Sequence, residues 1–536
     1  MKAISVAGAF RTVGLALMLA AIASAGAEAT EVTLRLKGGG FQLSGELKEY
    51  DTNKYVIENK SFGTMTLDAS RFDCIGQGCP RAPFAAPASL SLPRGVSRTI
   101  RIHGSDVIGA ELMPLLVQGY ANSIGAKAVK AVGANPLEMQ IRLTDANDRE
   151  ITLVELHRYG TDQAFQGLAN GSVEIVMADR PITEEELAML ARAGLSDMRS
   201  PAHEHVIALD GLVVVVSEDN PAVSLSIENV ARIFAGQLTD WSEIGLPPGR
   251  INVYATESRS GTFSVFDALV LRPRNLTLTR EAQIIDSNSG VSDAVARDPN
   301  GIGLTSFAFL RNAKAINIES SCGLITRPSV FTVKTEEYPL TRRIYLYSGI
   351  LTNPHARGLI DYIFSPAAQS QIAAAQFVDQ TPDLLGFEDQ GGRIAYALNA
   401  PSEDFDMAMM RQLISDMNGA QRMSITFRFR LGSVDLDARA RADIDRLIEV
   451  MRTPEFSNKS ILLLGYADSV GQFSSNSVLS QRRATQVHET LLAAAGNTIN
   501  PALISSRGYS ELAPVACNDS EEGRNLNRRV EVWVRE

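Results

Sequence analysis

Four times between Thr99 and Val378 a short apolar run ends in a turn rich in Ser, Thr, Gly or Asp, and three of the four lead into a helical pattern. Ile100-Arg101-Ile102 leads to Gly104-Ser105-Asp106 and a helix over residues 110–124; Ile151 to Leu156 leads to Tyr159-Gly160-Thr161-Asp162 and a helix. Val173 to Ala178 ends at Asp179-Arg180-Pro181, and Ile251 to Tyr254 leads to Glu257-Ser258-Arg259-Ser260-Gly261-Thr262 before a helix near Phe263. Strands alternating with helices in this way predict an α/β architecture. Helix N-termini carry unpaired N–H groups and a partial positive charge, which small hydroxyl side chains supplement. Several such ends converging would make a cleft between two lobes that holds a tetrahedral anion, whereas ordinary N-capping accounts for any one of them taken singly.

Over most of this segment the residues resemble the PstS-like phosphate-binding proteins of ABC importers. The likeness is carried by Gly104-Ser105-Asp106, Tyr159-Gly160-Thr161, Ala169 to Pro181, Arg259-Ser260-Gly261-Thr262-Phe263 and Asn288-Ser289-Gly290-Val291. It implies a two-lobed periplasmic-binding-protein (type 2-like) fold over 98–380, in which Ser105, Thr161, Ser260, Gly261 and Thr262 donate to inorganic phosphate or a similar oxyanion. Asp106 belongs to the same site, and Asp179 accepts the proton of a hydrogen phosphate. The family's arginine four positions before the serine of Ser-Gly-Thr is Thr256 here, so Arg259 or Arg180 is expected in its place.

A second motif lies near the C-terminus. Ile461 to Leu464 reads as a buried strand, Ala467 to Asn476 as a polar loop, and Ser477 to Leu492 as a helix with Leu479, Val487 and Leu491 on one side. The blocks Gly465-Tyr466-Ala467-Asp468, Asn476 to Ala484 and Asn527-Arg528-Arg529-Val530 resemble the OmpA family's peptidoglycan-binding domain. The resemblance implies that Asp468 takes the ammonium and Arg483 the carboxylate of the wall peptide's diaminopimelate, with Asn476, Leu479, Asn527 and Arg528 around them. Tyr466 and Ala467 replace the His and Thr usual in that family.

Outside these segments the chain is less specific. Lys2 and Arg11 precede the apolar run Val13 to Ala23 and then small residues, which reads as a secretory signal over 1–27. A small all-β module is expected over 28–82, a proline-containing linker over 83–97, a linker with a possible helix over 381–422, and the OmpA-like α/β domain over 423–536. Cys74 and Cys79, separated by a flexible Ile-Gly-Gln-Gly, are expected to be bridged in an oxidising compartment, while Cys322 and Cys517 lack local partners. The net charge of −10 disfavours nucleic acid as a partner. His203-Glu204-His205 lacks a third metal ligand, and no activated nucleophile or P-loop stands out, so neither an enzyme, nor a metal, nor another cofactor is expected. The expected protein is a solute receptor in the periplasm of a Gram-negative bacterium, attached to the peptidoglycan near the outer membrane, with an ABC permease as partner. The alternative is a structural wall-attachment protein whose two-lobed domain is a protein-contact module.

Overall fold

The computed structural model describes residues 31–36, 42–51, 54–59, 62–68 and 71–75, and residues 97–536 apart from 134, 258, 259, 400–404, 430 and 435. The segment expected to be a secretory signal, Cys79, most of the expected proline-containing linker and Arg259 lie outside them.

The N-terminal unit is a five-stranded antiparallel sheet in which Glu31–Leu36 pairs with both Gln42–Asp51 and Phe72–Ile75, and Lys54–Asn59 joins Gln42–Asp51 to the edge strand Gly63–Asp68. Its alternating sequence puts Val32, Leu34, Leu43, Tyr55 and Ile57 on one buried face. So small a core benefits from a crosslink, and Cys74 is disulfide-bonded.

The remaining residues form a second unit, whose first part has two lobes joined by two long strands, Glu204–Val216 and Thr341–Ser348, paired antiparallel. Both run through the sheet from one lobe into the other, and the sequence marks the crossing. Ile207, Ala208, Ile344 and Leu346 belong to the core of lobe one, whereas Leu209, Leu212 to Val216 and Leu340 belong to that of lobe two. A register shift between Val206 and Ala208 bends the first strand at that point. Lobe one carries the strands Thr99–Gly104, Glu150–His157 and Ile175–Ala178, with the helices Met113–Ser123, Pro354–Ile363 and Pro366–Ala374 packed on them. Lobe two carries Asn252–Thr256, Gln283–Ile285 and Gly301–Ser306 in parallel.

In the C-terminal part a five-stranded sheet runs Leu384–Gly386, Ala420–Arg428, Arg529–Arg535, Ser460–Gly465, Ile504–Gly508. The helices Ala438–Met451 and Phe473–Ala495 cover one face through Ile444, Leu447, Val487 and Leu491. The stretch 381–422, expected as a linker, is instead part of this domain. Its first strand pairs with Ala420–Arg428, and its helices Gly391–Asn399 and Met407–Met417 cover the sheet's other face, Leu462, Leu464 and Trp533. An apolar sheet face needs a second layer, and Met410, Leu413 and Met417 supply it from a segment whose polar interruptions hid its role.

Cys322 in lobe two is disulfide-bonded to Cys517 in the C-terminal domain. Beside this crosslink, charges pair across the same boundary: Glu336 with Arg428 and Arg439, Glu337 with Arg422, and Arg343 with Asp437. Among the described residues, no helix is long and apolar enough to cross a membrane.

Candidate functional site

In lobe one, Ile175–Ala178 delivers Asp179 to the mouth between the lobes, parallel to the strand that ends at Gly104. Two hydroxyls converge on this carboxylate: Ser105 Oγ donates to Oδ2 at 3.0 Å and Thr161 Oγ1 to Oδ1 at 3.1 Å. Thr161 is not serving as a helix cap, since the cap position before it is Gly160, which makes no side-chain hydrogen bond. Gly104 has φ +147, and a Cβ there would stand 2.0 Å from the Met177 carbonyl, so the turn presenting Ser105 requires glycine.

Lobe two presents Ser260, Gly261 and Thr262 to the same place. Ser260 caps the short helix Gly261–Phe266, accepting from Phe263 N at 3.1 Å, and shares a 2.6 Å hydrogen bond with Thr256. Thr256, where the family's arginine was missed, therefore steadies the serine. Thr262 is buried and accepts from Asn288 Nδ2 at 3.1 Å, which leaves its own hydrogen to donate elsewhere. The lobes meet at Gly261, where a Cβ would lie 2.2 Å from Asp179 Oδ2 and 3.2 Å from Val107. Asp179 thus faces the Ser-Gly-Thr turn directly across the interlobe boundary.

The remaining expected residues are placed differently. Arg180 is committed to Glu186 at 2.7 Å and to Asp162, and Asp106 is mostly exposed and paired with Arg158. Neither arginine proposed as the replacement is seen in the site: Arg180 is engaged elsewhere and Arg259 is outside the described residues. A different one stands there, Arg342, from the crossing strand Thr341–Ser348. Its Nε and Nη2 both donate to Asp210 Oδ2, at 3.0 and 2.7 Å, and its Nη1 is 4.0 Å from Asp179 Oδ2. The signal available in sequence was a pair of arginines, Arg342-Arg343, inside an otherwise apolar strand.

The C-terminal motif forms a separate charged cluster. Asp468 follows the strand Ser460–Gly465 and is nearly buried; its Oδ2 takes Arg528 Nη1 at 2.6 Å and its Oδ1 takes Val470 N at 3.1 Å. Arg528 also pairs with Glu521 at 2.6 Å. Arg483, from the helix Phe473–Ala495, is fully buried over the Phe429 ring at 5.4 Å and donates to the Ser433 and Tyr466 carbonyls. Burial lowers its pKa to about 10, with Asp468 opposing and Arg528 adding to the effect, so it remains a cation at neutral pH. Asn476 Nδ2 donates to the Asp468 carbonyl at 3.0 Å, fixing the turn. Asn527 accepts from Val515 N and Ala516 N and donates to Ala516 O, holding the loop that carries Cys517. Leu479 is half-buried. Tyr466, in the family's His position, is fully buried beneath the Arg529 guanidinium, 4.2 Å from the ring.

Known proteins resemble the chain in both parts. Residues 134–367 match the family model described as PBP superfamily domain, and residues 428–528 match the OmpA family. Protein SphX of Synechococcus elongatus is 30% identical over 203 residues, covering 35% of this chain and 57% of SphX, so the chain spans little more than half that relative's length. The phosphate-binding protein PstS of Staphylococcus saprophyticus is 25% identical over 276 residues, 49% of this chain and 84% of PstS. Among solved structures, an ABC-type phosphate transport receptor from Vibrio cholerae is 22% identical with a TM-score of 0.40, covering 52% of this chain and 99% of that one. The two-lobed segment around Asp179 and the sheet domain around Asp468 thus each fall within a matched family, and the chain carries a PBP superfamily domain followed by an OmpA family domain.

Proposed function

We propose that the protein is a receptor of the bacterial envelope that binds an inorganic oxyanion, phosphate before others, and is held at the cell wall by its C-terminal domain. The observation that carries the reading is the convergence on Asp179 of the Ser105 and Thr161 hydroxyls from one lobe and the Ser260-Gly261-Thr262 turn from the other. Relatives named as phosphate-binding proteins support the choice of anion. An ionised carboxylate only accepts hydrogen bonds, so it tolerates an oxyanion that still carries a proton and repels one that does not. On this reading the two crossing strands are the hinge, and the closed form is what an ABC permease would recognise. The N-terminal apolar segment and the disulfide-bonded cysteines support export to the periplasm on this reading.

In the C-terminal pocket, Asp468 and Arg483 offer opposite charges on neighbouring walls for the zwitterionic end of diaminopimelate. Arg528 already holds Asp468, so the ammonium of the wall peptide shares that carboxylate rather than meeting it bare. Calorimetric titration of the full chain with phosphate and with sulfate tests the first half; binding of neither anion refutes it. Co-sedimentation with diaminopimelate-type sacculi tests the second, and wild type left in the supernatant refutes that.

One observation favours a purely structural wall-attachment role. Thr256 and Ser260 satisfy each other, and the Ser105 and Thr161 hydroxyls are both engaged by Asp179. The same titration separates the two readings.

A further inference from the structure

The geometry points to Arg342 as the guanidinium that clamps the anion, supplied from the hinge itself and not from the Ser-Gly-Thr loop. Arg342 and Asp210 are cross-strand partners in the two crossing strands, at the point where the cores of the lobes exchange. Two of the arginine's three donor nitrogens fork onto one oxygen of Asp210, and the other oxygen of Asp210 takes Ser306 Oγ at 2.6 Å. The guanidinium plane is therefore fixed by groups from both hinge strands and from lobe two.

That leaves Nη1. It is buried and makes no hydrogen bond among the described residues, although Arg342 as a whole is only 5% exposed. A buried charged donor without an acceptor is costly, and native proteins seldom retain one without a use. Nη1 faces Asp179 Oδ2 at 4.0 Å, the oxygen that also receives Ser105 and that lies against Gly261. The separation is too long for a hydrogen bond but leaves an oxygen beside the gap within reach of both groups. One protonated oxygen of hydrogen phosphate accepts from Arg342 Nη1 and donates to Asp179, so the orphaned donor and the carboxylate are satisfied by a single ligand atom. Because Arg342 sits on the crossing strand paired with the one that bends, occupancy is felt at the hinge directly.

This assignment rests on the oxyanion reading, and the test keeps the two apart. Phosphate is titrated calorimetrically into the full-length wild type, into Arg342→Lys, and into the double variant Arg342→Gln with Asp210→Asn, which removes both buried charges together so that neither is stranded. Lysine keeps the charge but lacks the planar fork that directs Nη1. Both variants are expected to lose at least about tenfold in affinity, the scale of one charge-assisted hydrogen bond. Circular dichroism melting establishes that the double variant folds; should it not fold, Arg342→Lys decides alone. Wild-type affinity in Arg342→Lys, or in a folded double variant, overturns the assignment while leaving the oxyanion reading standing. Absence of phosphate binding by the wild type overturns both.

Discussion

On the proposed reading, Asp179 sits where single-atom chemistry decides which anion is accepted. In a closed cleft sulfate would set one acceptor against another, a penalty of about 1–3 kcal/mol, or at least about a factor of 5 in affinity. Phosphate is expected to be preferred over sulfate by that factor, and Asp179→Asn to narrow the gap, since an amide can donate to either; a variant that discriminates as well as the wild type would refute the role. Gly261→Ala puts a methyl 2.2 Å from Asp179 Oδ2, an overpacking of about 1–3 kcal/mol that falls on the closed form. Phosphate affinity should fall about tenfold with the fold intact, as measured by the same titration and a melting curve. Histidines set a separate pH dependence. Burial, aided by His157 beside His103 and His203 beside His205, lowers the pKa of His103 and of His205 from 6.5 to about 4. Between those values the unfolded chain binds more protons than the folded one, so stability rises with pH across that window. It is fully present above about pH 6.5 and is lost as pH falls toward 4; a denaturation midpoint unchanged between pH 7 and 5, followed in urea, would refute this. At this scale the sequence was legible where a residue belonged to a turn. Asp179, Ser260 and Thr262 could be named as candidates from their motifs, whereas Arg342 could not, because its place beside Asp179 depends on a cross-strand pairing with Asp210, 132 positions away in the chain.

Among the elements, the strands and helices were legible wherever periodicity was clean. The helix expected over 477–492 is Phe473–Ala495, and the buried strand expected over 461–464 is Ser460–Gly465. The assignment of 381–422 as a linker with a possible helix caught the helix Met407–Met417 but not the layer, because a three-residue strand and the short helix Gly391–Asn399 carry too little pattern to announce one. The pairing of Cys322 with Cys517 was equally invisible, since 195 residues separate them and nothing local brings them together. That separation has an energetic consequence: in the chain-entropy model a crosslink closing so long a loop removes much of the unfolded chain's freedom, and losing it costs about 2–5 kcal/mol. Cys322→Ser with Cys517→Ser is expected to lower the chemical denaturation midpoint accordingly. The loop carrying Cys517 also places Asn518, whose Oδ1 accepts from Ser469 N beside Asp468 at 3.3 Å. Sacculus binding should therefore weaken in the double serine variant as well, and unchanged co-sedimentation would separate the crosslink from the pocket.

Over the whole molecule the two matched domains are not independent beads, each able to fold alone: the charges between them argue otherwise. Glu336, contributed by the binding domain, is pushed up by burial, yet the guanidiniums of Arg343, Arg439 and Arg428 outweigh this and hold its carboxyl well below the usual range. Two of those three arginines come from the C-terminal domain. Glu337 pairs likewise with Arg422, which is almost completely buried, and Lys334 with Asp383 at 2.8 Å. Separating the halves would take Arg422 from Glu337 and leave Glu336 with Arg343 alone, and breaking a buried pair costs about 3–5 kcal/mol because a charge remains uncompensated. Several such losses rival the total stability of an ordinary domain, about 5–15 kcal/mol. A chain trimmed to residues 97–536 is therefore expected to unfold in a single calorimetric transition, with van't Hoff and calorimetric enthalpies in agreement. Residues 423–536 alone, lacking Glu336, Glu337 and the helices Gly391–Asn399 and Met407–Met417, are expected to remain unfolded and to leave sacculi unbound. Two resolved transitions, or a folded and wall-binding fragment, would mean that the interface charges are solvated in practice and that the wall domain moves independently of the cleft.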